Sequence, residues 1–68
     1  MLNLEDNVEK LKLDKKIESF LKDNKIYTIK EVVNKSKSDF KTLGLVQNDI
    51  SDIEIKAELQ GFKLKGSL

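Results

Sequence analysis

The residue types able to do chemistry in this chain are few, and nearly all of them are charged. Thirteen lysines and twelve carboxylates stand alongside no histidine, no cysteine and no arginine. Without imidazole or thiolate, the usual zinc ligands and the common nucleophile–base pairings are missing. Lysine acts as a point charge, so the planar fork that grips guanine or phosphate bidentately is absent too. What remains is attraction between lysines and an anionic partner, or between carboxylates and a cationic one. Four carboxylates, Asp49, Asp52, Glu54 and Glu58, gather toward the C-terminal end. Acid–base chemistry by such a set needs a cleft and a reacting group, and the sequence indicates neither. The calcium-loop spacing with its central glycine is also lacking. The set reads either as a docking face or as a solvated exterior. No catalytic residue, cofactor site or metal site is expected.

The net charge of +1 announces no polyanion partner by itself, but the distribution is uneven. Residues 1–9 hold Glu5, Asp6 and Glu9 without a lysine. Residues 10–43 carry ten lysines against five carboxylates, and residues 44–61 carry four carboxylates against Lys56 alone. A basic middle is followed by an acidic stretch, and Lys63 and Lys65 return the end to positive charge.

These side chains must be positioned by a small scaffold. Sixty-eight residues make a single domain, and its 38% apolar content suffices for a modest core. No apolar run approaches the roughly 20 residues that span a bilayer. The start, Met1 to Asp6, lacks the basic and apolar regions of a signal peptide. A cytoplasmic protein with no membrane partner is the expectation.

Helix caps punctuate the chain. Asp6-Asn7-Val8-Glu9 predicts a short opening helix or turn, with Asp6 as its cap. Asp14 is read as the cap of a clearer helix in which Ile17, Phe20 and Leu21 form a buried stripe. Asn24 is the expected left-handed residue at its end. Thr28-Ile29-Lys30-Glu31 is a capping box, so a two-turn helix is placed there in preference to a strand through Ile26–Ile29. Ser36-Lys37-Ser38-Asp39 repeats the pattern ahead of Phe40 and Leu43, and Gly44 stops that turn. A last helix is predicted from Asn48 or Asp49, with Ile50, Ile53 and Ala57 on its inner face and Gly61 at its end. Phe20, Phe40 and Phe62 are read as core, and Tyr27 as exposing its hydroxyl. The predicted architecture is all-α, a compact bundle of four to five short helices whose last pair forms a helix-hairpin-helix-like unit.

This order of elements resembles the C-terminal domain of the bacterial RNA polymerase α subunit. The resemblance runs through Val8–Leu13, Ile17–Leu21, Ile26–Val33, Ser36, Asp39 and Phe40, then Leu43-Gly44-Leu45, Ile50, Ile53 and Gly61–Leu64. It covers residues 8–64, with one residue deleted around Thr42–Gly44; residues 1–7 would be a linker remnant and 65–68 a tail. No single motif is diagnostic, and the weight lies in the order and spacing of apolar positions and caps. The resemblance implies a non-catalytic domain joined through its parent chain to the other polymerase subunits. Such domains contact transcription regulators and bind A·T-rich promoter DNA through the minor groove. Their DNA contacts come from an arginine and an asparagine early in the first long helix, and from a Gly-Lys-Lys-Ser hairpin.

The chain departs from that pattern where DNA would be touched. Lys16 stands at the arginine position, Ser19 at the asparagine position, and Phe20 where a small residue is usual. Aligned backwards from Gly61, the hairpin becomes Val46-Gln47-Asn48-Asp49. Aligned forwards, Gly44 keeps the hairpin glycine but Leu45 and Val46 follow. Both hairpin lysines are gone, and carboxylates in a helix's first turn occupy the place where a phosphate would bind. The candidate DNA-contacting residues are Lys15, Lys16, Ser19, Gly44, Val46, Gln47, Asn48 and Asp49, with binding weaker than in relatives. The candidate regulator-docking residues are Asp49, Asp52, Glu54 and Glu58. The alternative is a stand-alone helical protein-interaction domain that shares only the fold. Val46, Ile55 and Leu59 are read as exposed apolar positions that would suit a homodimer.

Overall fold

A computed structural model describes residues 2–66; Met1, at the head of the expected linker remnant, and residues 67 and 68 of the expected tail lie outside the described residues. A 3₁₀ turn, Val8–Leu11, precedes four α-helices: α1 (Lys15–Asp23), α2 (Ile29–Val33), α3 (Lys37–Leu43) and α4 (Gln47–Leu59). The fold is all-α, as the caps predict, and α2 is shorter than the two turns expected.

The three longer helices end in the same way. Past α1, the Lys25 N–H donates to the Lys22 carbonyl at 2.9 Å and the Ile26 N–H to the Leu21 carbonyl at 2.8 Å. Past α3, Gly44 donates to Lys41 and Leu45 to Phe40, both at 3.0 Å. Past α4, Gly61 donates to Glu58 and Phe62 to Ala57, both at 2.9 Å. Each is a Schellman turn, in which one left-handed residue satisfies orphan carbonyls and an apolar residue folds back over the helix. Gly44 and Gly61 take φ of 111° and 85° without a Cβ to clash. Lys25 takes φ 60°, a conformation that costs an L-residue about 1–2 kcal/mol. Asn24, the residue expected there, has φ −99° and donates its side-chain amide to the Phe20 carbonyl at 2.9 Å. The 3₁₀ turn closes similarly at Lys12 (φ 60°), just before buried Leu13.

The short middle helices depend on capping. Thr28 Oγ1 accepts from the Glu31 N–H at 3.2 Å, while Glu31 Oε1 accepts from the Tyr27 and Thr28 N–H groups at 3.0 Å. Ser36 and Asp39 make the same reciprocal pair, at 3.1 and 2.9 Å. The two remaining donors of the first turn of α2 go to the N-terminal segment: Ile29 to the Asp6 carbonyl at 2.9 Å and Lys30 to that of Leu4 at 2.7 Å. With Val8 donating to the Tyr27 carbonyl at 2.9 Å, these bonds make Asn7 and Thr28 an isolated antiparallel bridge. That bridge is all that the β-branched run Ile26–Ile29 contributes to pairing. The segment before Val8, expected as a linker remnant, thus lies hydrogen-bonded on α2. The cap of the 3₁₀ turn is Asn7, not Asp6: Asn7 Oδ1 accepts from the Glu9 N–H, and Asp6 Oδ2 accepts from Asn3.

Every element contributes to one core. Val8, Leu11, Leu13, Ile17, Leu21, Ile26, Ile29, Val32, Phe40, Leu45, Ile50, Ile53, Ala57 and Leu64 are buried, and among the described residues no polar or charged one is. Phe40 lies at the centre; Phe20 and Phe62, expected there too, are half-buried at its rim. The radius of gyration, 10.5 Å, agrees with about 11 Å for a compact chain of this length.

Two outcomes follow. Lys25→Gly relieves the strained φ and raises the unfolding free energy by about 0.5 kcal/mol, part of the relief being offset by glycine's freedom in the unfolded chain. Gly61→Ala lowers it by about 1 kcal/mol through the backbone alone, since a Cβ there meets no atom within 4 Å. Urea denaturation measures both, and equal midpoints for the three proteins would refute the assignment.

A third outcome concerns acid. Backbone N–H donors hold the Glu31 carboxyl (from Tyr27 and Thr28) and the Asp39 carboxyl (from Ser36) below their ordinary pKa values. A carboxyl with a lowered folded pKa stabilises the fold above its unfolded value, and that stability is lost as pH falls through the folded one. Stability should therefore decline below about pH 4. The decline should be shallower in Glu31→Gln; identical acid limbs in stepped-pH denaturation would exclude this cause.

Candidate nucleic-acid interface

The two segments expected to touch DNA come from opposite ends of the sequence, and tertiary packing brings them together. Lys16 Nζ, in the first turn of α1, lies 3.6 Å from Asp49 Oδ2, in the first turn of α4. The starts of both helices therefore share one end of the domain. Lys15, Lys16 and Ser19 are exposed on α1, with Lys15 and Ser19 one turn apart on the same face. Gly44, Val46, Gln47 and Asn48 are exposed at the other side of this end, while Asp49 is half-buried.

The helix starts here differ from those of α2 and α3. Asp14 stands at the α1 N-cap but makes no side-chain capping bond, contrary to its expected role. α4 begins at Gln47, earlier than the predicted Asn48 or Asp49, and its N-cap is Val46, whose side chain has no acceptor to offer. Two helix N-termini without a side-chain cap, each carrying partial positive charge, thus adjoin two lysines. The N-cap carboxylate of Asp14 and Glu18 in the first turn of α1 stand beside the same two lysines. Asp49 adds a third carboxylate, which sits in the first turn of α4 and occupies Lys16. A phosphate arriving at this end would compete with Asp49 for the same lysine.

The four carboxylates considered for regulator docking separate into two pairs. Asp49 faces Lys16, and Glu54 Oε2 lies 3.1 Å from Lys37 Nζ, linking α4 to α3. Asp52 and Glu58 lie further round the helix, at the edges of the face that carries Ile55 and Leu59. The predicted exposure of Val46, Ile55 and Leu59 is observed, at 59%, 52% and 72%. Tyr27 is 47% exposed, as expected. Sequence reading missed the partners of Asp49 and Glu54, since ion pairs between distant segments leave no local signature. The outer positions of α4 were legible, since Ile55 and Leu59 are spaced opposite Ile53 and Ala57.

No cavity and no cluster of metal-ligating side chains occurs among the described residues, and none of their helices is long and apolar enough to cross a membrane. No protein-family model matches the chain, and no curated protein matches it at a significant level.

Lys16 is 72% exposed in its pair with Asp49, so solvent screens most of the attraction. Asp49→Asn should change the unfolding free energy by no more than about 1 kcal/mol, including the loss of its favourable place at the helix start. A loss above about 2 kcal/mol in urea titration would make the pair a structural element rather than a surface one.

Proposed function

We propose that this chain is a non-catalytic binding domain of the kind found at the C-terminus of the RNA polymerase α subunit. It acts by contacting transcription regulators and, more weakly than its relatives, upstream A·T-rich promoter DNA. The observation that carries this reading is the meeting of the α1 and α4 starts across Lys16 and Asp49. It puts the positions matching the family's DNA contacts on one exposed end, flanked by helix N-termini. Lysine in place of arginine and the Asp49 carboxylate both support a weaker grip on phosphate.

The test is titration of an A·T-rich duplex into labelled protein at low salt, followed by amide shifts. Shifts confined to Lys15–Ser19 and Gly44–Asp49 should appear and fade steeply as salt is raised. Converting Asp49 and Asp52 together to lysine should strengthen binding. The absence of any shift at millimolar duplex would remove DNA from the reading. A second reading, a stand-alone interaction domain sharing only the fold, is favoured by Val46-Gln47-Asn48-Asp49 standing where a lysine hairpin is expected. It predicts that null titration.

A further inference from the structure

The second half of α4 presents a surface that the helix starts do not account for. With about 3.6 residues per turn, Ile50, Ile53 and Ala57 point into the core, whereas Ile55 and Leu59 point away from it, one turn apart. Leu59 is the most exposed of the large apolar residues and Ile55 is half exposed. Asp52 borders this stripe on one side and Glu58 on the other. The remaining acids of the helix turn elsewhere, Asp49 toward Lys16 and Glu54 toward Lys37. The result is an apolar strip edged by carboxylates, distinct from the end that carries Lys15 and Lys16.

We propose that this strip docks a basic amphipathic helix of a partner protein, whose aliphatic residues cover Ile55 and Leu59 while its lysines or arginines face Asp52 and Glu58. The proposal rests on the regulator-docking half of the proposed function and gives that partner a chemistry. Charge selects the occupant. α4 carries four carboxylates against one lysine. A second copy packed symmetrically would set one acidic helix against another, and like charges across an interface oppose pairing. Nucleic acid and anionic lipid are repelled for the same reason. A cationic helix with an apolar face is attracted, and helix-on-helix docking uses apolar anchors at the i, i+4 spacing that Ile55 and Leu59 provide.

A leucine–lysine peptide of about four helical turns, with its leucines on one face, serves as the probe. A second peptide of the same composition, with leucines scattered around the helix, is the control. Amide shifts of labelled protein should centre on residues 51–60, and the control should bind at least tenfold more weakly. Ile55→Ser with Leu59→Ser, both on exposed positions, should weaken binding by tenfold or more. Asp52→Asn with Glu58→Gln should weaken it several-fold and flatten its salt dependence. Equal binding of the two peptides, or shifts centred elsewhere, would reduce the effect to unspecific charge and overturn the proposal. So would the absence of binding, or a dimer in sedimentation that the serine variant abolishes. The duplex titration reads the opposite feature of α4, its start. Peptide failure with duplex shifts intact removes this proposal alone, and duplex failure with peptide binding removes only DNA.

Discussion

The fold depends on how each helix stops. In a chain this short and without cysteine, core residues must come from turns as well as from helices. The left-handed residue after α1, α3 and α4 turns the backbone so that the next residue, Ile26, Leu45 or Phe62, returns over the helix just completed. Ile26 and Leu45 are buried and Phe62 seals the rim. One conformational requirement thus ends the helix, satisfies its carbonyls and fills the core. Lys12 before Leu13 does the same on a smaller scale.

A core supplied entirely by apolar groups leaves the charged residues at the surface, and there they sort by position along α4. Its start is drawn toward α1 by Lys16, its middle toward α3 by Lys37, and its outer face is left with Asp52 and Glu58 around Ile55 and Leu59. One helix therefore presents two surfaces of different character. The end beside α1 sets Lys15 and Lys16 among Asp14, Glu18 and Asp49. The outer face favours cations and apolar carbon.

Features written in local chemistry were legible in the sequence. The capping boxes at Thr28–Glu31 and Ser36–Asp39 and the glycines at 44 and 61 need only neighbours within a few residues, and each stands where its pattern put it. Lys25 was not legible, because no propensity recommends lysine for a left-handed position; the strain is sustained by burial of Ile26. The start of α4 was displaced because Asn48 and Asp49 have the side chains of caps, while Val46 takes the cap conformation without one. The candidate interface was half legible. Its two segments were named from residue types, but that they share one end follows from packing between elements 30 residues apart, and no local pattern encodes the Lys16–Asp49 contact.

The N-terminal segment on α2 carries a consequence for how the molecule assembles. A five-residue helix has no independent stability, since nucleation exceeds what so few bonds return. Two of the first-turn donors of α2 are met only by the carbonyls of Leu4 and Asp6, more than 20 residues earlier. Completing α2 therefore requires closing a long loop. This long-range closure ties α2 and the first residues into a single cooperative unit.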